Sequence, residues 1–234
     1  MKAIFKKELH SYFSSAIAYV FLAVFYIFSG FYFYAGVLLS NTANLSIVFE
    51  SMFLIILLLV PILTMRLFSE EYKAKTDQLL LTSPVNLHGM VYGKFFAAYI
   101  VYAIGAAITL CYAVILLLFT PIDWSLTIGN LIGVLLLGGA LIAIGIFMSS
   151  LTKSQVIAAI GAFAVMLLFM YLDTFASVIS IDWLKNILGE ISFMGRYRNF
   201  TAGLLNIADI LYFISIMVIF NFLSVRSLEK KRWS

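Results

Sequence analysis

Charge is what this sequence has least of. Only 11% of its 234 residues are Asp, Glu, Lys or Arg, against about 25% in an ordinary soluble domain. With 64% hydrophobic residues, the chain cannot cover a water-exposed surface, which excludes a soluble globular protein and leaves an integral membrane protein. Cysteine is almost absent. Cys111 is the single one, so no intrachain disulfide can form, and a lone Cys in an apolar run is read as packing. The two histidines, His10 and His88, are far apart and lack companion ligands, which argues against a metal site. The net charge of +4 is no nucleic-acid signal, because the bases do not share one soluble face.

Catalytic motifs are missing too. Gly89-Met-Val-Tyr-Gly93-Lys94 is only superficially like a phosphate-binding loop. That loop needs four residues between its glycines and Ser or Thr after the lysine. Here there are three, followed by Phe95, so the chain is not expected to bind ATP or to be an enzyme.

Long uncharged runs dominate instead. About 20 residues cross a bilayer core as a helix, and six runs meet that need: about 17–39, 47–65, within 95–119, 126–149, 155–172 and 210–225. The expected fold is all-α, a single polytopic membrane domain over residues 1–234. Pro61 is expected to kink the second span by removing its bond to Leu57. Lysine and arginine give the orientation. With the N-terminus in the cytoplasm, twelve of the fifteen bases fall on the inside and only Lys185, Arg196 and Arg198 on the outside. Both termini are therefore expected to be cytoplasmic.

Residues 66–94 hold seven of the 26 charged side chains between two apolar runs. Unpaired charge is costly in hydrocarbon, so this island is expected in water or on a protein partner. A short helix from Ser69 to Leu81 fits it. Ser69 would cap the N-terminus, and Glu70 and Glu71 would sit in the first turn, where the helix dipole favours acids. Glu71 with Lys75, and Lys73 with Asp77, would pair at about 0.2–0.5 kcal/mol each. Pro84 then ends the helix. A solvated loop between two spans is the plainer reading.

Residues 1–14 alternate Ile4, Phe5 and Leu9 with Lys2, Lys6 and Lys7. This is an amphipathic helix suited to the headgroup layer. Residues 173–209 form the only long outer segment, too apolar for a free loop and too interrupted for a span. One or two short helices that re-enter the leaflet or cap the bundle are expected there. Gly129 and Gly133, with other small residues of the fourth and fifth spans, allow close helix approach. Packing inside the bundle is favoured over a dimer seam. No span carries an ionisable residue near its centre, unlike ion-coupled transporters. Energy for any transport would have to arrive from outside the bilayer.

The chain resembles the permease subunits of type-2 ABC transporters, especially the short six-span bacterial kind related to gliding-motility permeases. Lys6-Lys7-Glu8-Leu9-His10-Ser11-Tyr12-Phe13-Ser14-Ser15 is similar to the family's N-terminal elbow. Pro61-Ile-Leu-Thr-Met-Arg66, Ser69-Glu70-Glu71 and Leu79-Leu-Leu-Thr-Ser83-Pro84-Val85 are similar to its coupling segment. Phe200-Thr-Ala-Gly203 with Asp209-Ile-Leu-Tyr212-Phe213 is similar to its outer hairpin. Lys75, Gln78 and Ala16 depart from the glycine, glutamate and proline of many relatives.

The resemblance implies an exporter in the bacterial plasma membrane. Two permease chains, alike or different, would each sit on an ATP-hydrolysing subunit, with membrane lipid around them and, in some members, an extracellular accessory subunit. It implies that Glu70, Glu71, Tyr72, Lys73, Thr76, Asp77 and Gln78 serve ATPase coupling, and that Trp183, Phe200, Gly203 and Asp209 belong to the outer hairpin. No cofactor is expected in this chain. A membrane scaffold or sensor that docks a cytoplasmic partner, or a passive channel, are the competing readings. An associated ATPase that depends on the chain separates transport from scaffolding.

Overall fold

The computed structural model describes residues 1–76, 86–178 and 182–233. Among these the regular structure is all helical, with no strand. In order the helices are α1 (Lys2–Ser14), α2 (Ala16–Phe33, continued by a π-turn at Tyr34–Leu38), α3 (Ser46–Thr64), α4 (Arg66–Lys73), α5 (Leu87–Ala106), α6 (Ile108–Leu117), α7 (Trp124–Leu151), α8 (Gln155–Val178), α9 (Asp182–Ile191), α10 (Phe193–Thr201) and α11 (Ile207–Trp233). Six stretches are long and apolar enough to span a membrane: Ala16–Leu38, Ser46–Lys73, Leu87–Leu117, Trp124–Leu151, Gln155–Phe175 and Ile207–Arg232.

These match the six expected runs, but several reach past the charges that the sequence reading used as limits. The third starts at Leu87 and carries Lys94 inside it. The second continues to Lys73. For Lys94 the reason is physical: a charge ends a span only when it must reach water, and this one finds partners within the protein.

α7 is the hub, packed against α3, α5, α8, α10 and α11. Its glycines make that possible. A Cβ on Gly138 would lie 2.0 Å from the Tyr102 ring, one on Gly133 2.5 Å from Phe200, and one on Gly145 2.1 Å from Thr64 Oγ1. The small-residue stripe thus serves packing inside the bundle, with α5, α10 and α3.

Two short helices close the end opposite the basic residues. Phe193, Tyr197 and Phe200 of α10 are fully buried. Tyr197 donates to the Phe49 carbonyl (3.1 Å), and Ser46 Oγ donates to the Thr201 carbonyl (2.8 Å). Gly203 ends α10 with φ +79°. The Leu204 N–H reaches the Asn199 carbonyl at 2.8 Å and the Gly203 N–H the Phe200 carbonyl at 2.9 Å, the paired C-terminal closure that favours glycine.

Candidate functional site

The site is the junction where α3 passes into α4, at the end of the bundle that gathers the basic residues. Pro61 lies inside α3, and regular helix is interrupted at Met65. Ser149, near the end of α7, fits into this interruption. Its Oγ accepts from the N–H groups of Phe68 (3.0 Å) and Ser69 (3.2 Å) and donates to the Met65 carbonyl (2.9 Å). A side chain inserted beside the helical ladder in this way is a recognised cause of a helix break. Tyr12 of α1 donates to the Leu63 carbonyl at 2.8 Å.

Ser69 is therefore not an N-cap. It lies within α4, is fully buried, and its hydroxyl donates back to the Met65 carbonyl. The expected pair of Glu71 with Lys75 does not form either, because Glu71 points to other cations. Lys75 lies beyond the helix, with φ +56°. The helix ends at Lys73. Asp77, Gln78 and the expected continuation to Leu81 lie outside the described residues.

Lys94 is the centre of the arrangement and departs from the expectation that the charged island sits in water or on a separate partner. Its side chain is 1% exposed. Its ammonium lies 2.9 Å from Glu8 Oε1 and 2.9 Å from Glu71 Oε1, donates to the Leu67 carbonyl at 2.6 Å, and sits 4.9 Å over the Phe68 ring. A buried ammonium needs such partners, because desolvation costs several kcal/mol per ion. Glycine at 93 lets α1 approach: a Cβ there would be 3.2 Å from Ile4. Three elements are thus joined at one cation. α1 supplies Glu8, α4 supplies Glu71, and α5 supplies Lys94.

Around this triad lie further ties. Lys7 reaches Glu71 at 3.2 Å and Glu8 at 3.5 Å. Partial burial disfavours its charge, but the two carboxylates outweigh that and hold its pKa above the ordinary lysine value. Arg66 donates to the Ser11 carbonyl (3.1 Å) and lies 4.9 Å over the Tyr12 ring. A polar cavity of about 250 Å³ opens here, lined among others by Lys7, Glu8, Arg66, Glu70, Glu71 and Lys94. On the other side of α4, Lys231 of α11 sits 3.7 Å over the Tyr72 ring and donates to the Ser150 carbonyl at 2.6 Å.

The sequence-predicted coupling residues thus divide. Glu71 and Tyr72 are committed to internal contacts. Glu70, Lys73 and Thr76 are exposed. Glu8, Tyr12, Ser149 and Lys231 complete the junction, and sequence reasoning gave none of them these partners. One signal was present: Glu8 is the only acid before Glu50, and Lys94 the only charge between positions 78 and 122.

At the opposite end, Asp209 is 2% exposed and accepts from Arg196 (2.8 Å) and Asn199 (2.8 Å). Arg196 also pairs with Glu190 and lies 4.6 Å over the Tyr212 ring. Phe200 packs under Gly133, whereas Trp183 is 65% exposed. Of the four hairpin residues named from sequence, Phe200, Gly203 and Asp209 anchor the cap, and Trp183 faces outward.

Among the described residues no group of His, Cys, Asp or Glu is arranged to hold a metal. The junction has the means to bind helices to one another. No curated protein matches the chain. The profile of the ABC-2 family transporter proteins matches residues 3–233. Six spans, a helical cap at one end and a charged junction at the other fit that match. The chain belongs to the ABC-2 transporter family and is a membrane-spanning permease of an ABC transporter.

Proposed function

We infer that this permease works as an exporter, with the exposed side of α4 as the seat of a separate ATP-binding subunit. One observation carries the reading. α4 is bonded to α1, α5, α7 and α11 at once, through Glu71, Ser69 and Phe68, and Tyr72. A displacement of α4 would therefore be passed to most of the basic end together. Glu70 and Thr76 remain free-facing for the partner.

The basic bias supports placing this end, and both termini, in the cytoplasm of a bacterial cell. ATP would be bound and hydrolysed by the partner, and the permease would need no cofactor of its own. We also infer a second permease chain, alike or different. Its seat would be the α3 face where Leu54 is 50%, Leu58 52% and Ile62 37% exposed, so that each chain supplies half a pathway. An accessory subunit, where present, would meet the α9–α10 cap.

The junction alters the obvious experiment. Reversing Glu70 and Glu71 together would not leave the membrane domain intact, since Glu71 holds Lys94. The informative variant is Glu70→Lys alone. It should leave the amount of folded permease unchanged. It should weaken retention of the ATP-binding subunit in affinity purification from native membranes, by about 2–5 kcal/mol if docking buries the charge and by less at a rim. Unchanged retention and unchanged ATP hydrolysis by the purified complex would remove Glu70 from the seat.

A further inference from the structure

The cations of the basic end are not used alike. Lys7, Arg66, Lys94 and Lys231 are spent on internal partners. Among the described residues, Lys73 and Lys153 form no ion pair, and they line the same cavity of about 370 Å³ with Ser154, Gln155 and Val156. Among the described residues, no carboxylate lines it. The two lysines come from different elements, the end of α4 and the turn between α7 and α8. The cavity opens where the apolar outer face of α8 begins. Val156 is 65% exposed, Ile157 62% and Ile160 64%. The face continues through Leu168, Tyr171 and Phe175 at helical spacing.

A largely apolar cavity with two cations that form no ion pair among the described residues, continuous with a long exposed apolar stripe, complements a molecule of one shape. It has an anionic head and an extended hydrocarbon tail. We propose that Lys73 and Lys153 hold the phosphate of an anionic phospholipid of the surrounding leaflet, with one acyl chain laid along α8. The headgroup gains two charge-assisted donors, and the chain covers side chains that are otherwise left exposed. The inference stands apart from the proposed function: it needs neither the ATP-binding subunit nor the transported substrate.

Each lysine near a membrane surface favours an anionic lipid about five-fold, so removing both should lower occupancy about twenty-five-fold. The test reconstitutes the full chain in nanodiscs of phosphatidylcholine containing a minor share of phosphatidylglycerol. Native mass spectrometry then reads the lipid retained. The wild-type chain should retain phosphatidylglycerol preferentially, and millimolar inorganic phosphate should not displace it. Lys73→Gln/Lys153→Gln should lose the preference, and Lys2→Gln/Lys6→Gln, which removes two exposed lysines of α1, should keep it. The proposal is overturned if the first variant retains phosphatidylglycerol like wild type, or if the second loses it equally. It is also overturned if inorganic phosphate displaces the lipid, or if a dimer forms that carries no phosphatidylglycerol because a second copy covers α8.

Discussion

Replacing Lys94 by methionine should destabilise the permease more than any other single change considered above, by about 3–5 kcal/mol. Methionine keeps most of the length and removes the charge. Glu8 and Glu71 both place Oε1 2.9 Å from the ammonium, so without it two carboxylates crowd one poorly hydrated point. Such a site pays both desolvation and like-charge repulsion. α1 would then separate from α4, taking Tyr12 away from the Leu63 carbonyl. A neutral set, Glu8→Gln/Glu71→Gln/Lys94→Met, should recover most of the loss, because replacing a buried ion cluster by uncharged groups is often neutral or better. Lys94→Arg should not rescue, since a planar guanidinium does not fit a compact ammonium site. Thermal unfolding of the detergent-solubilised variants checks the series. A Lys94→Met protein as stable as wild type would show that the triad does not hold the junction.

The second large effect is expected at Gly138. An alanine Cβ there would fall 2.0 Å from one carbon of the Tyr102 ring and 2.2 Å from another. The ring cannot withdraw easily. Its hydroxyl donates to the Val134 carbonyl at 2.8 Å, and Phe25 lies edge-on with ring centroids 6.4 Å apart. Overpacking of this kind costs about 1–3 kcal/mol and sometimes more. Gly138→Ala should therefore lower the unfolding temperature, and Gly138→Ala/Tyr102→Leu should recover part of the loss by opening room for the methyl group. If the double variant is less stable than the sum of its two single changes predicts, the contact is not the source of the cost.

Some features of the fold are legible in the sequence and others are not, for definite physical reasons. The six spans follow from uncharged length alone, which the bilayer dictates. The glycines of α7 are legible as close-packing sites, though their partners Tyr102, Phe200 and Thr64 are far away in sequence. The Lys94 triad is not legible as a pair list. Its members stand 23 to 86 positions apart, since Glu71 and Lys94 are separated by 23 and Glu8 and Lys94 by 86. Local rules favour partners three or four residues away, which is why Glu71 is assigned to Lys75. The buried cation wins because Lys94, held inside a span, has far more to lose by remaining unpaired than Lys75, which water can solvate. Ser69 shows the same override. Its sequence context resembles a cap, but the helix has already begun at Arg66, and Ser149 satisfies the N–H groups that a cap would serve.

The account stands or falls on whether the exposed side of α4 meets an ATP-binding subunit. A photoreactive amino acid at position 70, introduced into the full chain in native membranes, tests this directly. A control at position 183 probes the exposed Trp183 of the opposite cap. The account predicts that illumination joins position 70, and not position 183, to a protein that carries the complex's ATP hydrolysis. Cross-linking of that protein from position 183, or from neither position in a complex that still hydrolyses ATP, would contradict it.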